Sequence, residues 1–583
     1  MTVTTTAHPT LADAGPAAPA VVGHARDGDH AGQPSGRGPL RDRLCPPMPS
    51  DRLAGWLAAL AVTLVAGILR FWRLTEPKGI YFDEVYYTKD AWGLMTHGYE
   101  VDSKNCVGPG YVVHPPLGKW FMAASEKIFG YTDCSGAVHG NPELGWRFAS
   151  ALFGTIAVLV LTRTARRMFR STILGCFAGL LLAFDGLEFV QSRIGILDIF
   201  LMTLLVAALA CLVLDRDYGR AKLADRMTAL TAARPRDADS AASVATSESA
   251  AADSSDGGDG VSIGDATLDE RDRAARERDT RYGPKLGLRP WRLAAGFFLG
   301  ASMGVKWSGL YTLLGFAVLA IVWDAGARRT AGARQPMLGA LRRDVPAWFG
   351  CYVPLPIATF LATWTGWFVT DGGYDRHAYG NGFTAMWRGW WAYQDAILNF
   401  HEHLTTKTSP HPAQSAPFSW LVLGRPVPYY YDGPAFGQKG CTAAGGCSRE
   451  VLAIGNPAVW WVGTACLVVM VALWVVRRDW RAALVLVGFA SSFLPWELVP
   501  SRTMFFFYAL PLLPFLVLGI TATAGLALGP REASDTRRLV GALSVGVYLI
   551  AVVLLFAYFY PILAAQQIPL SGWRARMWFP GWI

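Results

Sequence analysis

The run LAALAVTLVAGIL at Leu57–Leu69 decides the fold. It carries no charge, and with its flanks it approaches the roughly 20 apolar residues a helix needs to cross a bilayer. Similar uncharged runs recur at Ala151–Leu161 and Leu201–Leu214, and a comparable one closes the series at Leu539–Tyr560. Over its 583 residues the chain is 52% hydrophobic and 17% charged, where an average soluble domain is about 25% charged. Mean hydropathy is +0.27 despite two long polar stretches, so the remainder is strongly apolar. The reading is an all-α polytopic membrane protein with two long outer loops.

About eleven spans follow from the pattern: near Ala54–Trp72, Gly145–Leu161, Ile173–Glu188, Ile194–Leu214, Leu293–Val305, Leu310–Trp323, Val345–Trp367, Pro457–Val476, Ala482–Leu494, Met504–Leu526 and Leu539–Tyr560. The fifth and sixth are short and meet at Lys306-Trp307-Ser308-Gly309, which suggests tilted helices or a broken pair. The net charge of +9 is not spread as a nucleic-acid surface would be. Arginines cluster between apolar runs, at Arg163, Arg166, Arg167 and Arg170, at Arg328, Arg329, Arg334, Arg342 and Arg343, at Arg477, Arg478 and Arg481, and at Arg537 and Arg538. Short Lys/Arg-rich loops stay cytoplasmic. With an inner N-terminus, about eleven spans put every cluster on the inner face and the C-terminus outside.

Four regions result. Residues 1–50 read as a disordered cytoplasmic tail without the basic-then-apolar pattern of a cleavable signal, so the first span acts as an uncleaved anchor. Residues 51–214 form an N-terminal membrane part with an outer loop at 73–144. Residues 215–289, rich in Ala, Ser, Asp and Arg, read as a disordered cytoplasmic insertion. Residues 290–583 form the C-terminal membrane part, with an outer loop at 368–456 crowded with Trp, Tyr, Pro and His. Within the first loop, Leu117–Phe129 is apolar at helical spacing and too short to span, as an interfacial helix would be. Cys106 and Cys134 share the first loop and Cys441 and Cys447 the second. In an oxidising compartment each pair could close one disulfide.

Some ten residues after the first run ends comes YFDEVYYTKDAWGLMTHGYE, Tyr81–Glu100, and then HPPLGKW, His114–Trp120. Asp83 and Glu84 stand among Tyr81, Phe82, Tyr86 and Tyr87. As a bland pair of solvated loop acids they would not need such company, and a carboxylate near a bilayer is costly unless used. One of them can serve as general base toward a hydroxyl. His114 and Lys119 open a helix, a natural phosphate site, although the prolines also stiffen a capping turn. Arg147, Arg193, Asp198 and Lys306 border spans on the outer side. An Arg193–Asp198 structural pair explains those two equally well. Glu497 and Arg502 read as snorkelling or loop-pair groups. His401, His403 and His411 have no acidic cluster beside them and His-x-His alone is a weak signal, so no metal and no cofactor is expected.

The motifs together resemble the dolichyl-phosphate-mannose–protein mannosyltransferase family, in its actinobacterial form. The likeness rests on FDE at Phe82–Glu84, HPPLGK at His114–Lys119, GWRFAS at Gly145–Ser150 and SRIGILDIF at Ser192–Phe200. GVKWSGLY at Gly304–Tyr311, SPHPAQSAPFSW at Ser409–Trp420 and the WFPGWI ending add to it. It covers about 50–583 outside the insertion. The resemblance implies a GT-C glycosyltransferase that moves mannose from a polyprenyl-phosphate donor to Ser or Thr of exported proteins, with inversion at the anomeric carbon, beside the protein-export channel. By the same resemblance Asp83 is the base, Glu84 supports it and Arg147 is the essential arginine of the second helix. His114, Lys119, Lys306 and Arg193 are then candidates for the donor phosphate, and Tyr81, Tyr86, Trp307, His403 and His411 for sugar and acceptor. The eukaryotic members' lumenal MIR domain is absent from this sequence, which leaves acceptor recruitment to the 368–456 loop. Two rivals stay open at this point: a transferase acting on a lipid or cell-wall glycan from the same donor, and a transporter or flippase. The latter would show inverted repeats, and no second copy of the FDE or HPPLGK region is visible.

Overall fold

Every one of the eleven apolar segments is helical in the structure, a computed structural model that describes residues 39–583 apart from 103–105, 107, 252–262 and 531, and side chains outside 233–270. Eight of the described helices are long and apolar enough to cross a membrane. The first, Arg52–Phe71, shows how the bundle is built. Gly55, Ala59, Val62 and Ala66 face inward, while Leu53, Leu57, Leu60, Leu64 and Ile68 form an exposed stripe. Small residues let helix backbones approach and large apolar ones meet lipid, because lipid tails give no hydrophobic reward for hiding leucine. Asp535–Leu563 repeats the pattern, with Leu539, Leu543, Val547, Ile550 and Leu554 outward. The helix starting at Asp198 is the most enclosed of the spans and forms the axis of the bundle.

Breaks in the helices position the site. Pro290–Met303 and Gly309–Thr330 are separated by a turn carrying Lys306, the broken pair expected. The seventh segment is interrupted at Val353, where Pro354 and Pro356 supply no backbone N–H to the ladder, and again at Trp364. The tenth opens as a 3₁₀ stretch, Phe506–Leu512, before Leu513–Leu528. It presents Tyr508 to the outer end.

The outer loops are more ordered than their composition suggests. Leu117–Phe129 is helical at the expected bounds, and a second helix, Glu84–His97, precedes it. The 368–456 loop contains Phe383–His403, a helix with Gly389, Trp390, Tyr393 and Ile397 on its buried face. Strands Val427–Asp432 and Cys447–Ala453 pair antiparallel, and Ile568–Pro569 adds a third. Both disulfides are formed, Cys106–Cys134 and Cys441–Cys447, each with Cα atoms 5.8 Å apart.

The 215–289 stretch departs from the disordered insertion expected of it. The fourth span continues as one helix, Asp198–Ala251, and Ile263–Tyr282 forms another. Asp215 and Asp217 are buried in ion pairs, Asp215 with Arg289 and Arg292, Asp217 with Arg167, Arg170 and Arg216. A small apolar cluster adds to these pairs, Leu223, Ala224 and Met227 packing with Leu44, Leu286, Ala327 and Ala331; composition concealed both because their partners lie far off in the sequence. The centre of the stretch, 252–262, and residues 1–38 of the tail lie outside the described residues. Pro39–Leu44 of the tail is helical and docks through Arg41 onto Asp225.

The four arginine clusters gather at one end. Arg166 binds Asp51 at the start of the first span, Arg216 stacks on Trp480 at 3.6 Å, and Arg481 lies over Phe169.

Candidate functional site

Asp83 and Glu84 are neighbours with opposite fates. Glu84 is fully buried, and its carboxylate accepts from Arg147 Nε at 2.8 Å and Nη2 at 3.1 Å, and from the amides of Gly195 and Tyr81. Arg147 donates onward to the carbonyls of Pro77 and Gly79, both at 2.8 Å, and lies over the Tyr81 ring at 4.6 Å. Two residues before Arg147, Gly145 lets this helix pack on the end of Leu117–Phe129: a Cβ there would stand 1.8 Å from the Gly130 carbonyl oxygen. Buried opposite charges with their remaining lone pairs and protons satisfied form a rigid joint. Here it ties the first loop to the second and fourth spans.

Asp83 sits one residue earlier, at the N-cap of Glu84–His97. Phe82 before it is held in the left-handed region, φ 54°, a conformation that costs a non-glycine residue about 1–3 kcal/mol. Stacking on Tyr429 at 4.3 Å and an edge contact to Phe507 at 5.5 Å hold it there. This kink turns Asp83 away from its neighbour. Among the described residues its side chain makes no hydrogen bond or ion pair. Burial pushes its carboxyl up to about 6, with Lys306 pulling down and Asp198 pushing up.

Beside it lies an outer cavity of about 420 Å³, lined by His114, Asp198, Lys306, Trp307, His401, Glu402, Arg502 and Tyr508, with Leu201, Leu205 and Leu398 on its apolar side. Lys306 Nζ is 2.8 Å from Asp198 and 5.3 Å from the Tyr508 ring centre. Arg502 donates to the His401 carbonyl at 2.6 Å and keeps a buried, unpartnered Nε. His114 and His401 lie 5.6 Å apart. Burial, helped by nearby cations, pulls His114 well below its usual value and His401 to about 4, so both rings are neutral at pH 7. The fixed positive charges of the cavity are Lys306 and Arg502. An anion with an apolar tail and a polar head fits such a space, with cations at one wall and leucines at another.

The candidates named from sequence divide accordingly. His114, Lys306 and Trp307 line the cavity, and Asp83 lies close enough to feel the charges of Lys306 and Asp198. Lys119 does not: it is fully buried, 2.7 Å from Glu100 and 3.5 Å from Asp90. Arg193 pairs with neither Asp198 nor a free anion, since its guanidinium caps the first span through the carbonyls of Arg70, Trp72 and Arg73. Tyr81 lies under Arg147, and Tyr86 is exposed. His403 donates from Nδ1 to the Asn399 carbonyl and His411 packs on Phe505, both outside the cavity lining. His401, Glu402, Arg502 and Tyr508 were missed as site residues. Arg502, one residue past a Pro-Ser turn and just before an apolar run, offered the one legible signal. No group of metal-binding side chains occurs among the described residues.

Comparison with known proteins agrees with this architecture. Residues 60–230 match the family model "Dolichyl-phosphate-mannose-protein mannosyltransferase", and residues 386–582 match "C-terminal four TMM region of protein-O-mannosyltransferase". The chain is 36% identical over 548 residues to a polyprenol-phosphate-mannose–protein mannosyltransferase of Mycobacterium tuberculosis, covering 92% of this chain and 93% of that one. A protein of the same name from Corynebacterium glutamicum is 32% identical over 521 residues, covering 86% and 88%. The structure of the Saccharomyces cerevisiae protein O-mannosyltransferase Pmt1-Pmt2 complex bound to the sugar donor superposes with a TM-score of 0.63 at 14% identity, covering 92% of this chain and 95% of that one. At that identity the superposition speaks for the fold alone. The bundle with its ordered outer loops is thus of GT-C type, and the chain belongs to the polyprenol-phosphate-mannose–protein mannosyltransferase family.

Proposed function

We propose that this protein transfers mannose from polyprenyl-phosphate-mannose to Ser or Thr hydroxyls of exported proteins, at the outer face of the membrane, with Asp83 as general base. The acceptor hydroxyl attacks the anomeric carbon on the side opposite the phosphate and gives its proton to the Asp83 carboxylate. The bond from that carbon to the phosphate oxygen breaks with its electron pair, and polyprenyl phosphate leaves with its charge against Lys306 and Arg502. Stabilising charge that develops on a leaving phosphate is where fixed cations in a water-poor site contribute most. Neutral His114 can donate one hydrogen bond to the same phosphate. The apolar side of the cavity, Leu201, Leu205 and Leu398, receives the first isoprene units.

The observation that carries this reading is the contrast at Asp83: a carboxylate without a partner, raised to about 6, within reach of the Lys306–Asp198 pair. Glu84 and Arg147 act at one remove, by fixing the turn from which Asp83 projects. The gathering of the arginine clusters at the opposite end supports a cytoplasmic N-terminus and an outer C-terminus. Acceptors reaching the cavity from that side would be chains still unfolded beside the export channel.

The test is transfer of labelled mannose from polyprenyl-phosphate-mannose to a Ser/Thr-rich peptide by membranes containing wild-type or Asp83→Asn protein. A general base is worth about 10² to 10⁴ in rate, so the variant should lose at least about 10² with unchanged thermal stability. Undiminished transfer by Asp83→Asn removes Asp83 from the chemistry. Label that enters only lipid reassigns the acceptor.

A further inference from the structure

The Val427–Asp432 strand carries three tyrosines in a row, and they have three different surroundings. Tyr430 packs on Tyr81 at 5.7 Å, and Tyr431 is half exposed beside Trp573. Tyr429 is the extra residue of a bulge: Pro428 pairs with Leu452 and Tyr430 with Val451 on the neighbouring strand, which leaves Tyr429 unpaired in the ladder. Bulges bend a strand and re-aim a side chain. Here the ring is laid against Phe82 at 4.3 Å and Phe507 at 5.9 Å, on the turn from which Asp83 projects. Tyr429 is 4% exposed, and among the described residues its hydroxyl has no hydrogen-bond partner. A buried phenol usually finds one, and leaving it without one costs stability.

The charges around that hydroxyl are those of the reaction centre. Burial, and then Asp198 and Asp83, hold it well above its usual value, so it remains a protonated donor at neutral pH. Asp198 is committed to Lys306 at 2.8 Å, whereas Asp83 has no partner among the described residues. A buried donor and an unpartnered acceptor thus lie close together without being joined. A phenol that served only the carboxylate would be bonded to it in the free protein. A hydroxyl that gives its proton to the one and accepts from the other satisfies both. The phenol is closed to water in the free protein. Tyr508, which lines the cavity and faces the same two carboxylates, is the ring placed to admit a ligand.

We infer that the Tyr429 hydroxyl binds the acceptor, donating a hydrogen bond to the Ser or Thr side-chain oxygen whose proton Asp83 takes. The inference rests on Asp83 as general base. As that oxygen bonds to the anomeric carbon, its proton moves to the Asp83 carboxylate and the phenol keeps its own. The second hydrogen bond fixes the direction of the attacking lone pair, and such alignment is much of what a site contributes to a reaction between two bound molecules.

The experiment uses full-length protein in vesicles with polyprenyl-phosphate-mannose and a Ser/Thr-rich peptide, each substrate varied in turn, and thermal unfolding in parallel. A neutral hydrogen bond contributes roughly a factor of five, so Tyr429→Phe should lose about fivefold in kcat/KM for the peptide, with KM for the donor unchanged. It should unfold at the wild-type temperature or slightly above it, because the hydroxyl it lacks has no partner in the free protein. Tyr431→Phe, altered on the exposed side of the same strand, should match wild type throughout. Unchanged peptide kinetics in Tyr429→Phe overturn the inference, as does an equal loss in Tyr431→Phe. A rise in donor KM alone overturns it too, since the phenol would then meet the mannosyl unit. So does a less stable or unfolded Tyr429→Phe, because the hydroxyl would then be serving the fold. The base is judged separately. Normal transfer by Asp83→Asn beside a peptide-specific loss in Tyr429→Phe removes Asp83 from the chemistry and leaves Tyr429 as an acceptor contact.

Discussion

At the inner end of the bundle Arg289 and Arg292 share Asp215 and Asp324 through four contacts of 2.6–3.0 Å, all four side chains buried. At the outer end Lys306 binds Asp198 alone, and Asp83 binds nothing among the described residues. Both regions concentrate charge beside a membrane, where it is expensive. The difference lies in what the charge is committed to. Paired in two directions, it fastens helices; left single against a cavity, it is available to a substrate. The same contrast recurs one residue apart, in Glu84 and Asp83. It explains why a sequence rich in border charges names more candidates than it has site residues.

Removing one partner from the inner network tests the first half of that contrast most severely. Asp324→Ala strips a carboxylate from between two buried guanidiniums, and loss of one member of a buried pair costs about 3–5 kcal/mol. Thermal unfolding should show this loss, whereas transfer per folded molecule should hold near wild type. A large fall in transfer without a change in unfolding would erase the distinction between the two ends.

The pH dependence of transfer sharpens the second half. Burial, more than any neighbour, raises the Asp83 carboxyl from the usual range to about 6. The base form is then scarce below that value and complete above it. Transfer should fall by about tenfold per unit as pH drops below 6, and Asp83→Asn should lack this limb. An acid limb that stays near pH 4 in wild type means Asp83 is not desolvated in the working enzyme.

The smallest effect belongs to the outlying histidines. His403 and His411 are exposed and sit outside the cavity, so replacing either by Ala should change transfer by less than about twofold and leave its pH profile in place, since surface changes away from buried contacts rarely exceed about 0.5 kcal/mol. A tenfold loss in peptide transfer from His411→Ala would extend the site along the outer loop toward Phe505.

Much of this was legible in the chain because the relevant physics is local. Uncharged runs of about 20 residues can only be helices in lipid, so the bundle, its eleven apolar segments and the break at Lys306 follow from Leu57–Leu69 and its repeats. Leu117–Phe129 was readable at its ends because a Pro pair starts it and Gly130 stops it. Phe383–His403 could have been found from Trp390, Tyr393 and Ile397 at helical spacing, had its aromatics not suggested a loop. Sequence also brought Asp83, Arg147, His114 and Lys306 forward, since charge beside a span is rare enough to count.

Which of those charges is free was decided elsewhere. Lys119 is committed to Glu100 and Asp90, Arg193 to the carbonyls ending the first span, and Arg147 to Glu84, each through partners distant in sequence or supplied by the backbone. Arg502 and His401 enter the cavity only because the Phe383–His403 helix and the turn before Phe506 close against each other, about 100 residues apart. A linear pattern records which side chains can ionise and which segments must be buried. It cannot record whether a buried charge finds a partner, because pairing depends on contacts of a few ångströms between elements that only the folded bundle brings together.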